Sequence, residues 1–542
     1  MDTLILAAGL GSRLSKYTHD IIPKYLINLD NNTGFYYLIT YWSKYSNRIF
    51  LVVHSKYVGI TTYYIKNMLN EYLDKIKIIS YDTSDGTAFT LNYILNNKLK
   101  DENINNLLLT WCDLYPTQEI EFYKLKGNYN MNNNIFVFTQ GDKCRYKLDE
   151  NNKIIKCDNN DGNIVGIYYF HNYKNFILDD DCYNNDIVNY LGKIGNIYNF
   201  ELNNIIDYGD EEKILYILNN NCKSNNKFNC RYFNNISLLD DNKLFKKGIN
   251  DKGMEIIKFE KNWYEYINHL QNKDILYNLI PKIYNIFDYG FIMEYKENYI
   301  PAYQYFIKNE LDKNNNNNIK NLILDNIIKK LDIIHKIEKK NISKAVFFNN
   351  LKKEIYDKII DRKNIIKNFI EYFGNIEYVN DLKIDTFDNI LMKCKNILVQ
   401  YYEALDLFEY SIILGDCQFS NILIDQKDIN NIVFIDPRGY FGNSLIHGPS
   451  DYDYAKVLYG ISGYDQFNIE YFNIKNIDID NKHILFDINP IKYDKKIINK
   501  YFNKVHKAYL VIIWLSLAEY NKNNIWKCLA SYYYGLYLGT LL

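Results

Sequence analysis

No segment of this chain is long and apolar enough to suggest a bilayer span. The longest apolar run, AYLVIIWLSLAEY at 508–520, falls short of the roughly 20 residues that a spanning helix needs. It is expected to be a buried helix of a large, soluble domain. An excess of one charge is missing too. The 64 Lys and Arg against 65 Asp and Glu leave a net charge of −1, which argues against a nucleic-acid binder, because that role needs a marked basic excess. Nine cysteines contain no C-x-x-C pair and no regular spacing, so neither a zinc site nor a disulfide framework is indicated. Reduced thiols in the cytoplasm are the simpler reading. The first apolar segment starts at residue 3, which leaves no room for a cleaved signal peptide. Proline (7) and glycine (24) are scarce, while Tyr (54) and Asn abound. That bias resembles the translation of an AT-rich genome and is read as mutational background.

What remains is globular. Apolar residues make up 47% and charged residues 24% of 542 positions, too many residues for one ordinary core, so two or three domains are expected. TLILAA (3–8), RIFLVV (48–53), IKIISY (76–81), NLLLTW (106–111) and NIFVFT (134–139) read as strands, since they are short, branched and bounded by polar breaks. Helix-length segments such as GFYYLITYWSKYS (34–46) separate the first four. That alternation predicts a parallel sheet covered on both faces, with ligands at the carboxyl ends of its strands. NNNCKSNNKFN (219–229) has no periodicity and marks the expected boundary between a domain at 1–220 and another at 228–542. Beyond it, 231–300 shows short strand-like runs around one helix, and from 319 onward helical patterns dominate. The run Asn314 to Asn318 reads as a surface loop expansion.

Two constellations carry chemistry. In the first, Gly9 and Gly11 follow the opening strand, with Arg13 in the same turn and Lys24 after Pro23. Small residues let backbone N–H groups approach phosphate oxygens, and the two cations suit a polyphosphate. A third glycine is missing, which excludes the dinucleotide fingerprint, and no G-K-[ST] follows, which excludes a P-loop. In the second, Asp416 and Asn421 precede a hairpin (ILI, a polar turn, IVFI) that ends at Asp436. The hairpin returns the chain, so these groups can converge on one ligand. An Asp that accepts a hydroxyl proton, with Asn and Asp for Mg²⁺, is a kinase arrangement.

Residues 6–14 (LAAGLGSRL), Thr18 and Pro23-Lys24-Tyr25-Leu26 resemble the signature of sugar-1-phosphate and phosphocholine-type nucleotidyltransferases. In order after it come Asp85-Gly86-Thr87-Ala88, similar to the family's base- and ribose-contacting loop, and Trp111-Cys112-Asp113, with Cys where that family usually has Gly. GNIVGIYYF (162–170) resembles its substrate-side strand and IIDYGDEEKIL (205–215) its closing segment. The resemblance implies a Rossmann-like mixed sheet in which Ala7, Ala8, Gly9, Gly11, Gly86 and Thr87 contact a nucleoside triphosphate. It further implies that Arg13 and Lys24 stabilise developing charge, and that Asp113 and Asp207 hold Mg²⁺. CTP, UTP and dTTP stay open as the triphosphate.

The remainder resembles the aminoglycoside phosphotransferase and choline kinase superfamily, whose catalytic loop reads H-G-D-x-x-x-x-N, with Leu414 here in place of the His. This implies a two-lobed, protein-kinase-like α+β domain. Asp416 would be the catalytic Asp, Asn421 and Asp436 the Mg²⁺ ligands, and Lys246 (over Lys247) with Glu260 the ATP-binding pair. MEYKENYIPAYQYF (293–306) would be the hinge, while LDIIHKI (331–337) and SDYDYAKVLYG (450–460) resemble two of its helices. No glycine-rich nucleotide loop shows near 231–242. His335 and His447 are expected to be structural, and Asp451 and Asp453 to cap or flank a helix. Together the two resemblances imply a kinase that phosphorylates a small alcohol or sugar and a nucleotidyltransferase that activates the product. The alternative keeps only the nucleotidyltransferase active.

Overall fold

The computed structural model describes all residues except 30–31, 83–85, 123–133, 158–160, 172, 174–184, 203, 223–233, 240–241, 272, 310–316, 470–473 and 489. Asp85, most of the expected boundary stretch and residues 314–316 of the Asn run therefore lie outside the described residues. The last two residues of that run, 317–318, belong to a helix, Asn317–Ile337, rather than to a loop. The chain divides into two units, Met1–Ser224 and Asn225–Leu542.

In the first unit the strands are β1 (Asp2–Ala7), β2 (Arg48–Val53), β3 (Ile76–Ser80), β4 (Leu107–Trp111), β5 (Leu114–Pro116), β6 (Asn134–Cys144), β7 (Tyr146–Leu148), β8 (Ile154–Lys156), β9 (Gly162–His171), β10 (Asn196–Glu201) and β11 (Ile205–Asp207). Seven of them form one sheet in the order β10-β6-β9-β4-β1-β2-β3. β3, β2, β1 and β4 are parallel to one another, as the strand and helix alternation predicts. Every residue of β1 is buried, which is why it reads as one continuous apolar run and not as an alternation. The sheet is mixed, however, because β9 runs antiparallel to both β4 and β6.

From β1 the chain crosses to β2 on one side, and β4 later returns to the other side of β1, with Leu6 opposite Trp111. The carboxyl ends of β1 and β4 are thus a topological switch point, where a crevice opens in sheets of this kind. Just past β4, β5 pairs antiparallel with β11, and this sets Asp207 opposite Leu114. The next residue, Tyr208, is fully buried. Its hydroxyl donates to the Cys112 carbonyl at 2.5 Å and its backbone N–H to the Asp113 carbonyl at 3.1 Å. The ring packs against Gly34, where a Cβ would stand 2.2 Å from Tyr208 Cζ. Gly34→Ala is therefore expected to destabilise the protein by about 1–3 kcal/mol through overpacking. Chemical denaturation of the variant checks this, and an unchanged midpoint would contradict the packing described.

In the second unit, β12 (Asn234–Leu239), β13 (Lys243–Gly248), β14 (Ile283–Phe287) and β15 (Gly290–Glu294) make an antiparallel sheet in the order β12-β13-β15-β14. The helix Asp251–His269 packs on it, its start capped by Asn250, which accepts from the Gly253 N–H at 2.9 Å. Its buried stripe is Ile257, Glu260, Trp263, Tyr264 and Ile267, helical spacing with one carboxylate inside an apolar row. Such a group requires a partner. In β13, Leu244 and Lys246 are buried while Lys247 is half-buried, so the period of two turns Lys246 inward. The rest of the unit is mostly helical, and the run at 508–520 lies within the helix Lys504–Tyr520, most of which is buried. Among the described residues no helix is long and apolar enough to cross a membrane.

Candidate active sites

The first unit gathers its candidate residues at the switch point. After β1, Gly11 has φ 73°, a left-handed conformation that side chains disfavour. A Cβ there would also press on the Lys24 Cβ at 3.2 Å. The turn leads into a 3₁₀ segment, Ser12–Leu14, which carries Arg13 exposed. A cavity of about 230 Å³ lies here, lined by Gly9, Gly11, Ser12, Arg13, Leu14, Lys24 and Gly209. Ala7 is buried at the end of β1 and Ala8 is half-buried.

Lys24 reaches across this space to form an ion pair with Asp113. Burial alone would lower the Lys24 pKa, but the neighbouring Cys112 and Asp113 raise it above its ordinary value. The ammonium is thus held charged. Asp207 lies beside them and is paired with Lys213. Gly209 shows how closely the two carboxylates converge, since a Cβ on it would lie 2.8 Å from Asp113 Oδ2 and 3.2 Å from Asp207 Oδ1. Two hard oxygen donors aimed at one bare Cα suit a divalent cation such as Mg²⁺, which takes few protein ligands and completes its shell with phosphate and water. Among the described residues there is no cluster of three or more His, Cys, Asp or Glu that could hold a metal ion. Gly86, with φ 89°, opens the helix Thr87–Tyr93. The Thr87 hydroxyl is engaged by protein. It accepts from the Ile187 N–H at 2.9 Å and donates to Asp186 at 3.4 Å. Thr87 therefore ties down the 186–187 segment in this structure.

In the second unit Lys246 sits between two carboxylates, 2.7 Å from Glu260 Oε2 and 2.8 Å from Asp436 Oδ1. Burial opposes its charge, yet Asp436 and Glu260 together raise its pKa above the usual lysine value. This pairing answers the buried Glu260. Asp436 itself has φ 54°, a left-handed conformation that Asp and Asn adopt more readily than other non-glycine residues. Asn421 donates its side-chain Nδ2 to the Asp416 backbone carbonyl at 2.8 Å, and the Asn421 backbone carbonyl accepts from the Ile435 N–H at 3.0 Å. With the amide nitrogen so used, the oxygen is what Asn421 can offer a cation. An amide oxygen and the Asp436 carboxylate are a donor set compatible with Mg²⁺.

Asp416 is held at both oxygens, by Lys456 Nζ on Oδ1 at 2.9 Å and by Gln418 Nε2 on Oδ2 at 3.3 Å. The turn before it rests on Asp453, which is wholly buried. Asp453 accepts from the N–H groups of Leu414 at 2.9 Å and Gly415 at 2.6 Å, and bonds His335 at 3.0 Å. Asp453 was expected to cap or flank a helix, and it instead holds the turn before Asp416. Asp451 likewise bonds His506 and Tyr402, each at 3.0 Å. The helix Ser450–Ile461 starts without a side-chain cap. His335 and His447 both have structural partners, His447 meeting Glu338 at 3.2 Å.

Sequence reasoning overlooked Tyr208, Gly209 and Lys213 in the first unit, and Lys456 and Gln418 in the second. One signal was available. Asp453 and Lys456 are three apart on one helix, and so share a face that is otherwise apolar and buried.

No protein-family model matches the chain, and no curated protein matches it. Among solved structures, one described as a glucose-1-phosphate thymidylyltransferase from Bacillus anthracis, in complex with sucrose, is 18% identical; the match covers 40% of this chain and 94% of that one, with a TM-score of 0.35. A nucleoside-diphosphate-sugar pyrophosphorylase from Vibrio cholerae RC9 is 17% identical over 40% of this chain and 100% of its own, with a TM-score of 0.31. An inositol-1-phosphate CTP transferase from T. maritima is 14% identical over 41% of this chain and 96% of its own, also with a TM-score of 0.31. At these identities and TM-scores the likeness carries no functional assignment.

Proposed function

We propose that the chain performs two consecutive phosphate transfers. The second unit would move the γ-phosphoryl group of ATP to a small alcohol or sugar. The first would then join that phosphate to CTP, UTP or dTTP and release pyrophosphate. The observation that carries the reading is the meeting of Lys24, Asp113 and Asp207 beside the cavity under the Gly9–Arg13 turn. These groups come from distant parts of the chain and would handle a triphosphate without any side-chain nucleophile.

In the kinase step, Asp416 would accept the hydroxyl proton as the acceptor oxygen attacks the γ-phosphorus, and ADP would leave with the bridging oxygen. Lys246, fixed by Glu260, would bind the nucleotide phosphates. In the nucleotidyl step, a phosphate oxygen of the product would attack the α-phosphorus of the second triphosphate. The bond to the pyrophosphate oxygen breaks, while Arg13 and Lys24 stabilise the charge that gathers there. Mg²⁺, when bound, would offset phosphate charge at both sites, and the residues that would hold it are Asp113 with Asp207, and Asn421 with Asp436. A cytoplasmic setting, where nucleoside triphosphates are abundant, belongs to the same proposal.

The test uses the full chain with Mg²⁺ and each of CTP, UTP and dTTP, crossed with phosphorylated sugars and amino alcohols. One pairing is expected to release pyrophosphate at least about tenfold faster than the rest, the selectivity a built pocket gives. Pyrophosphate release from no pairing would reject the nucleotidyltransferase reading.

A further inference from the structure

The segment from Asp416 to Asn421 is closed on itself, because Asn421 Nδ2 donates to the Asp416 backbone carbonyl at 2.8 Å. Between the two lies a 3₁₀ turn, Phe419–Asn421. Phe419 is fully buried. Its ring stacks on Phe306, with 5.4 Å between centres and 10° between planes. It also packs against Gly460, where a Cβ would stand 3.0 Å from Phe419 Cδ1. Asp453 takes the N–H groups of the two residues before Asp416. Those after it meet a different carboxylate.

That carboxylate is Asp465, near the start of the helix Tyr464–Ile469. It is 3% exposed, and no cation pairs with it among the described residues. Its Oδ2 accepts from the Phe419 N–H at 3.1 Å and its Oδ1 from the Ser420 N–H at 2.9 Å. Each oxygen thus takes one of two consecutive backbone donors, and bonds to a charged acceptor are about twice as strong as neutral ones. Burial pushes the Asp465 carboxyl up to about 7, while Ser420 and Phe419 pull it down. A buried carboxylate without a counter-ion requires such donors, and here the turn supplies them.

The consequence falls on the two ends of the segment. Asn421 follows Ser420 directly, and its backbone carbonyl accepts from the N–H of Ile435, the residue before Asp436. Releasing residues 419 and 420 would shift the Asn421 side chain against the Asp436 carboxylate and, through Nδ2, the backbone of Asp416. Lys246 and Glu260 stand on β13 and the helix Asp251–His269, so the nucleotide-binding pair would keep its place.

We propose that Asp465 is a positioning residue for phosphoryl transfer, which fixes Asp416 and Asn421 relative to each other by clamping the turn between them. The inference rests on reading the second unit as a phosphotransferase. The first measurement needs no variant. Residue-resolved hydrogen exchange on the full chain should find the amides of 419 and 420 protected close to the level of global unfolding. In Asp465→Asn the side chain offers one acceptor oxygen and turns a donor toward the second N–H. Those two amides should then exchange at least about tenfold faster, while 414 and 415 stay as they were. The second measurement is ADP formation with ATP, Mg²⁺ and whichever of choline, ethanolamine, glycerol and glucose supports it. Asp465→Asn should lower kcat by about a hundredfold and keep KM for ATP within about twofold, the split expected when reacting groups are displaced by about 1 Å beside a nucleotide that still binds. Fast exchange at 419 and 420 in the unaltered protein, or full kcat in the folded variant, would overturn the inference and leave the phosphotransferase reading intact. Formation of ADP with none of the four alcohols by the unaltered protein would remove that reading and the inference with it.

Discussion

Asp113→Asn is expected to lower pyrophosphate release by about a thousandfold while acceptor-dependent ADP formation stays within about twofold of the unaltered protein. The carboxylate meets the Lys24 ammonium and faces the same point as Asp207, above the bare Cα of Gly209. The substitution keeps the shape of the side chain but removes the charge that balances Lys24 and could hold a divalent cation. Some loss of stability accompanies it, because Lys24 then lacks its counter-charge in a mostly buried setting. Asp207→Asn provides the control. Its side chain is 37% exposed against 10% for Asp113, so it should lower the same activity with less effect on a melting curve. If both activities fell together in either variant while the fold held, the assignment of one reaction to each unit would be wrong.

The converse outcome is expected at the other site. Asp416→Asn should reduce ADP formation by about a thousandfold and leave pyrophosphate release from a supplied phospho-acceptor unchanged. An amide at this position can still bond Lys456 Nζ and preserve the local geometry, yet it cannot take a proton from the attacking hydroxyl. The measurement is made with phosphorylated acceptor for one reaction and free acceptor for the other, on one preparation. Retention of full kinase activity by Asp416→Asn would exclude Asp416 as the proton acceptor.

The parallel part of the first sheet was legible chiefly because β1, β2 and β4 are buried almost throughout, which leaves short, unbroken apolar runs such as RIFLVV between polar segments. The direction of β9 was not. GNIVGIYYF reads the same whether it lies parallel or antiparallel, and only the pairing with β4 and β6 decides it. Within β13 the alternation of Leu244 and Lys246 against Phe245 and Lys247 does separate the two lysines, since a period of two assigns faces. The groups that escaped notice act at a distance along the chain. Lys456 meets Asp416 across 40 residues, and Tyr208 meets Cys112 across 96. Neither helical nor strand periodicity carries information over such separations.

Asp453 has a consequence for motion. A single buried carboxylate joins the helix Asn317–Ile337 through His335, the turn at Leu414 and Gly415, and its own helix Ser450–Ile461. Opening that turn would strand a negative charge away from water, so the turn can open only when all three segments come apart together. Its amide hydrogens at 414 and 415 should therefore exchange with solvent on the timescale of global unfolding rather than of loop breathing. The carboxylate that would take the proton thus follows a turn tied to three segments at once, and a movement that admits substrate is expected to come from its neighbours.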